Sequence, residues 1–274
     1  VKRVEMADKL LTNMRQELKS DALGWADRVG LVKVEPIDFS SPEAAQASLT
    51  TRVKQGDIVA QKYGVEPKYL RPDEDTRLTA AMDAGGDRLL SVAGMVATAA
   101  GEKAPAILRE VFKKSPTAAI IGGLVTDTGV TAAAKDAADG IALSKQPDFK
   151  SVAPESKDAR VQISEVMGSA LSGMPQTENA IISAANMVYE IRARKQGLTN
   201  FDGGVWQKGL LELVGERVEG DKTYGGVVDA NPSYWGSRKI IIPPFLSQDN
   251  WRQAVDMLQP TDLDAAGLGT PAGG

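Results

Sequence analysis

Apolar residues recur at helical spacing along most of this chain, and the clearest case is Thr177–Lys195, TENAIISAANMVYEIRARK. Ile181, Ala184, Ala185, Val188 and Ile191 fall at i, i+3, i+4, i+7 and i+10, and Ile182, Met187 and Tyr189 widen that stripe. A helix apolar over so much of its circumference is covered by neighbours. It is therefore expected at the centre of a helical domain, with 157–171 and 203–214 packed on it. Thr177 suits the N-cap and Glu178 the first turn. Arg192, Arg194 and Lys195 suit the negative C-terminal end before Gly197 stops the helix.

The same spacing predicts helices elsewhere. Residues 1–19 carry Val4, Leu11, Met14 and Leu18 on one side, and a short turn of helix follows Ser20-Asp21 as far as Gly30. Leu31–Phe39 reads as extended, with Trp25 and Phe39 as anchors. Ser41-Pro42-Glu43 is a capping hydroxyl, a proline at the first helical position and an acid in the first turn, so a helix runs to Tyr63 and Gly64. Arg71-Pro72-Asp73-Glu74-Asp75 opens another that ends at Gly85-Gly86, Asp87 starts the next, and Ala104–Lys114 follows. Thr126 or Thr128 begins a helix to about Ser144, then Gln146–Asp158 is a polar loop. Asp202 opens a helix bearing Trp206 and Leu210. After Gly215 the pattern changes: 224–230 and 238–243 read as two strands across an Asn231-Pro232…Gly236 turn. Ser247 caps a last helix, and the Gly/Ala-rich tail reads as a linker or frayed end.

The fold class this implies is mainly α: a compact multi-helix domain of about ten short helices with a small C-terminal β-hairpin. Its parts are an N-terminal arm (1–40), a helical core (41–215), the hairpin and final helix packed on that core (216–260), and a flexible tail (261–274).

Composition excludes several kinds of chemistry. The sequence has no cysteine and no histidine, which rules out disulfides, Cys/His zinc sites and nucleophile–histidine pairs. The net charge of −4 and the lack of a basic block argue against nucleic acid as a direct ligand. Lys2, Arg3, Lys9, Arg15 and Lys19 lean the first helix positive, interleaved with Glu5, Asp8 and Glu17 as on a solvated face. The chain begins at Val1 without a signal-peptide pattern, so a fragment or processed product is expected.

Phosphate and calcium motifs are missing: there is no Walker loop, Gly267-x-Gly269 is trivial in its context, and Asp73-Glu74-Asp75 lacks EF-hand spacing and reads as a helix N-terminus. Glycan cleavage needs only carboxylates. Glu165, Glu178 and Glu190, with Asp136 and Asp139, are the candidates. Glu155-Ser156 matches the Glu-Ser pair of lytic transglycosylases, yet the Gly-Leu-Met-Gln and Ala-Tyr-Asn motifs of those enzymes do not follow. No catalytic, cofactor-binding or metal site is assigned.

Pro116–Ala134 carries a single charge, Asp127. Two readings stand: two buried helices joined at Thr126-Asp127-Thr128, or a segment that inserts conditionally into membranes, against which Asp127 counts.

The order of segments resembles a family. Leu23-Gly24-Trp25-Ala26, Asp38-Phe39-Ser40-Ser41-Pro42-Glu43, Tyr63–Pro72, Gly225-Gly226-Val227-Val228-Asp229 and Ile241-Ile242-Pro243-Pro244 are similar to a region of phage and prophage internal virion or DNA-ejection proteins. Some of those carry a lytic transglycosylase domain elsewhere in the polypeptide. The resemblance spans roughly 15–265 and brings no active-site residues. It implies a non-enzymatic structural or interaction domain in the virion, in host cytoplasm before assembly, or in the envelope during ejection. Its partners would be other virion proteins or itself, without cofactor or small-molecule substrate. The alternatives are a peptidoglycan-binding or regulatory domain beside a transglycosylase, and a prophage protein with no retained role.

Overall fold

A computed structural model describes residues 2–38, 41–112, 115–229 and 238–257. The chain divides into two compact units, Val1–Lys150 and Ser151–Gly274. That division falls within the polar Gln146–Asp158 loop, whereas the boundaries expected from the sequence lie at 40/41 and 215/216. The described residues form a mainly helical protein with small antiparallel hairpins near the C-terminus.

The first unit contains α1 (Lys2–Ser20), α2 (Ala22–Arg28), α3 (Pro42–Tyr63), α4 (Pro72–Ala84), α5 (Gly86–Ala100), α6 (Ala104–Phe112), α7 (Pro116–Thr128) and α8 (Ala132–Ser144). It is built round α5, which packs against α3, α4, α6, α7 and α8. Leu89, Leu90, Ala93 and Val96 supply its buried face. On α8 the buried residues include Ala133, Ala134, Ala137 and Ala138, small enough for close helix approach. The turn between α4 and α5 comes closer still. Gly85 has φ +72°, and a Cβ there would stand 2.6 Å from the Ala142 amide, so only glycine fits. Ser41 caps α3 by accepting from the Ala44 amide at 3.1 Å, and Gly64 closes that helix in the left-handed conformation, as the sequence predicts.

The second unit contains α9 (Ser156–Met167) with a 3-10 turn over Gly168–Leu171, then α10 (Pro175–Gln196), α11 (Gly203–Leu213), β1 (Arg217–Glu219), β2 (Lys222–Tyr224), β3 (Val227–Asp229), β4 (Lys239–Ile241) and α12 (Gln248–Met257). Its centre is α10, which packs on α9 and α11 as its pattern requires. Ile181, Ile182, Ala184, Ala185, Val188 and Tyr189 are buried. Gly209 of α11 faces Val188 so closely that a Cβ would stand 2.9 Å from its Cγ1. Each Leu, Ile or Val buried in this way contributes about 1.5–3 kcal/mol of transfer free energy.

Three local expectations change. The central helix starts two residues early, at Pro175 after Met174, so Thr177 lies inside it. Proline at the first position needs no amide partner and already has helical φ. The break in Pro116–Ala134 falls at Gly129–Thr131 rather than at Thr126–Thr128. Thr126 and Thr128 turn their hydroxyls back to the carbonyls of Gly122 and Leu124, so both sit comfortably in α7. Gly129 (φ +74°) ends α7, and Thr131 caps α8 by accepting from the Ala134 amide. Two hairpins form where one is expected. β1 and β2 pair across Gly220-Asp221, taking Tyr224 out of the strand predicted from 224, and β3 pairs with β4 with Val228 opposite Ile240. The expected Asn231-Pro232…Gly236 turn, the Phe39 anchor and the 261–274 tail lie outside the described residues.

Among the described residues no helix is long and apolar enough to cross a membrane. Within Pro116–Ala134 the break at 129–131 leaves α7 only 13 residues long.

Candidate functional site

Polar groups inside an apolar core mark the places where chemistry or specificity is built, because each must find a partner. Two buried glutamates stand out.

In the second unit, Glu190 is fully buried on α10. Its Oε1 accepts from the amides of Val152 at 2.8 Å and Ala153 at 3.0 Å, and from the Ser151 hydroxyl. Its Oε2 makes no hydrogen bond and faces the Arg194 guanidinium at 3.3 Å as an ion pair. Glu190 therefore clips the stretch 151–153 to the central helix. Three further polar residues of α10 are similarly engaged. Asn186 accepts from Trp206 Nε1 at 2.8 Å, which satisfies a fully buried indole. Tyr189 donates to the Asn200 carbonyl and accepts from the Asp202 amide, with its ring edge-on to Phe201 at 5.3 Å. Arg192 makes a two-toothed contact with Glu212 on α11.

In the first unit, Glu74 is 3% exposed and Arg52 1%. Glu74 Oε1 accepts from the Ile37 amide at 3.0 Å and from Arg52 Nη2 at 2.9 Å, and Oε2 accepts from the Arg71 amide at 2.9 Å and from Arg52 Nη1. Arg52 also donates to the Glu35 carbonyl. One carboxylate thus joins α3, the start of α4 and the extended 33–38 segment. Reading Asp73-Glu74-Asp75 as a charged helix start captures only the contact with Arg71.

The structure does not gather the glycosidase candidates into one buried pair. Glu155 and Ser156 are exposed at the start of α9. Glu165 is exposed, and its carbonyl accepts from Lys239 Nζ at 2.7 Å, which caps the end of α9 from β4. Asp136 is buried and engaged on α8, and Asp139 stands 3.7 Å from Lys135. Glu178 alone lines an open cavity of about 330 Å³, with Met167, Leu171 and Met174 and the hydroxyl-bearing Ser164 and Ser172. Among the described residues no group of three or more acidic side chains could hold a metal ion.

Two carboxyls are held above their ordinary range. Glu216 is raised by burial and then by the negative charge of Glu212, against a hydrogen bond from Gln248 that lowers it. Asp127, near the C-terminal end of α7, is raised by partial desolvation. Tyr69 is pushed up to about 12 by burial and by its hydrogen bond to Asp57, with Glu110 adding to the effect. Glu216, in the same unit as the cavity, does not line it.

Comparison with protein-family models, with curated proteins and with solved structures finds no match for this chain.

Proposed function

We propose that this chain is a structural or interaction domain of a phage or prophage internal virion protein, acting in the particle through contacts with other virion proteins or with itself. The observation that carries this reading is the use of its buried carboxylates. Glu74 accepts four hydrogen bonds and Glu190 three, all from groups that hold the fold together. A general acid or nucleophile for glycan cleavage needs a carboxyl open to substrate. Glu190, the most deeply buried of the glycosidase candidates, is closed off. The resemblance in segment order from Leu23 to Pro244 supplies the biological setting.

The test has two arms. Intact phage particles containing the protein are treated with a short cross-linker and digested, and purified chain is incubated with cell-wall sacculi. Cross-links from this chain to identified capsid, portal or tail proteins, with no soluble muropeptides released, support the reading. Muropeptide release that disappears in Glu178→Gln or Glu165→Gln overturns it and favours a role in cell-wall cleavage.

A further inference from the structure

The C-terminal turn of α1 belongs to the fold. Leu18 packs on the cluster of Ala22, Leu23, Ala26, Val34 and Val59, and Glu17 pairs with Arg28. Ahead of that turn large apolar side chains stand open: Met6 is 73% exposed, Leu10 61% and Leu11 50%. Leu11, Met14 and Leu18 follow the alternating three-and-four spacing of a coiled-coil seam. Asp8 and Arg15 are both exposed and seven residues apart, so they lie on the same flank of that seam. We propose that α1 is a self-association helix, pairing antiparallel with α1 of a second copy so that Leu11 packs on Met14 and Asp8 faces Arg15 across the axis, twice.

The charges choose both the occupant and the direction. In an antiparallel pair the two-fold axis sets each flank against its own counterpart, and a flank carrying Asp and Arg one heptad apart is complementary to itself. In a parallel pair this flank meets the opposite one, and Asp8 never faces Arg15. A membrane surface fits less well, because carboxylates stand on both flanks of the seam, Asp8 on one and Glu17 on the other. In-plane membrane helices carry basic residues there instead. With α1 about 28 Å long, the contact falls in the small, weak class of interfaces, so association should depend on concentration. The proposal deepens the virion reading by naming a contact surface. It rests on that reading for its biological role and on α1 alone for its existence.

Sedimentation equilibrium of the full chain over a wide concentration range tests it, with circular dichroism to check the fold. The wild type is expected to show a monomer–dimer equilibrium. Leu11→Asp should abolish it, and Asp8→Arg or Arg15→Asp should each weaken it about tenfold by setting like charges face to face. The double exchange Asp8→Arg with Arg15→Asp restores the complementary flank and should recover wild-type association. If a variant unfolds, the wild type and the double exchange still decide. A wild type that stays monomeric overturns the proposal, as does a dimer indifferent to Leu11→Asp or not recovered by the double exchange. So does binding to anionic vesicles that competes with the dimer and survives the charge exchange. A monomeric wild type that still cross-links to virion proteins removes this surface and keeps the virion reading. A dimer formed by a chain that is absent from phage particles keeps this surface and removes the virion reading.

Discussion

Glu74 and Glu190 are both glutamates buried on helices, yet the two units neutralise them differently. Glu74 meets a guanidinium as buried as itself, with two amides completing the set. Glu190 meets two amides and a hydroxyl, and its ionic partner Arg194 has a side chain 36% exposed. The first arrangement places two desolvated charges in the core, so removing either one leaves the other stranded. The second places one charge there and distributes it over backbone dipoles, so its loss frees a local segment. A buried carboxylate therefore acts as a network node in the first unit and as a clip in the second.

The largest expected effect breaks the node. Glu74→Gln leaves Arg52 buried without a counter-charge and should cost about 3–5 kcal/mol in denaturant unfolding. Replacing both partners by apolar residues, Arg52→Met with Glu74→Leu, should recover most of that loss. A double variant as unstable as the single one would show that the node's value lies in its hydrogen bonds to Ile37 and Glu35 rather than in charge balance.

Helix packing distinguishes the units on a smaller scale. Gly209→Ala must push α11 away from Val188, a cost of about 1–3 kcal/mol that outweighs the gain of about 1 kcal/mol from better helix propensity. Gly94→Ala on α5 meets nothing within 4 Å, so only the propensity gain applies. Thermal melts should move down for the first and up for the second. The same direction for both would contradict the close α10–α11 approach.

The smallest effect is a pH dependence. Glu216 has a raised carboxyl in the fold, so its unfavourable contribution is absent below the unfolded value of about 4.3 and appears as pH rises through the folded value. Glu216→Gln should stabilise the chain at pH 7 and change little near pH 4. Asp127→Asn should behave in the same direction, since desolvation raises its carboxyl and the negative end of α7 disfavours its charge. Paired melts at the two pH values check the sign.

How far the fold can be read from the sequence depends on the range of the interaction. The period of α10, the Ser41 cap and the Gly64 and Gly197 stops are local, and they are legible because each residue acts within one turn. Threonine is ambiguous even locally. Thr126 and Thr128 bond backward inside a helix while Thr131 caps one, and only Gly129 reveals which. The β1–β2 hairpin had a usable signal in Gly220-Asp221 between Val218 and Thr223. The distant partners of the buried acids had none. Arg52 is 22 residues from Glu74, and Val152 is 38 from Glu190, separations at which residue type alone selects no pairing. Glu190 is accordingly readable as a catalytic candidate in sequence, and only its surroundings make it a clip.

That difference has a decisive sign. A charge buried for function is generally held at the expense of stability, whereas a charge buried as a clip contributes to it. The measurement is equilibrium unfolding of Glu190→Gln beside the wild type, since glutamine keeps the shape and can serve Oε1 but turns an amide toward Arg194. A loss of about 1–3 kcal/mol, with earlier amide exchange at Val152 and Ala153, is the predicted result. An increase in stability, with exchange at those amides unchanged, would contradict the account and return Glu190 to the list of functional carboxylates.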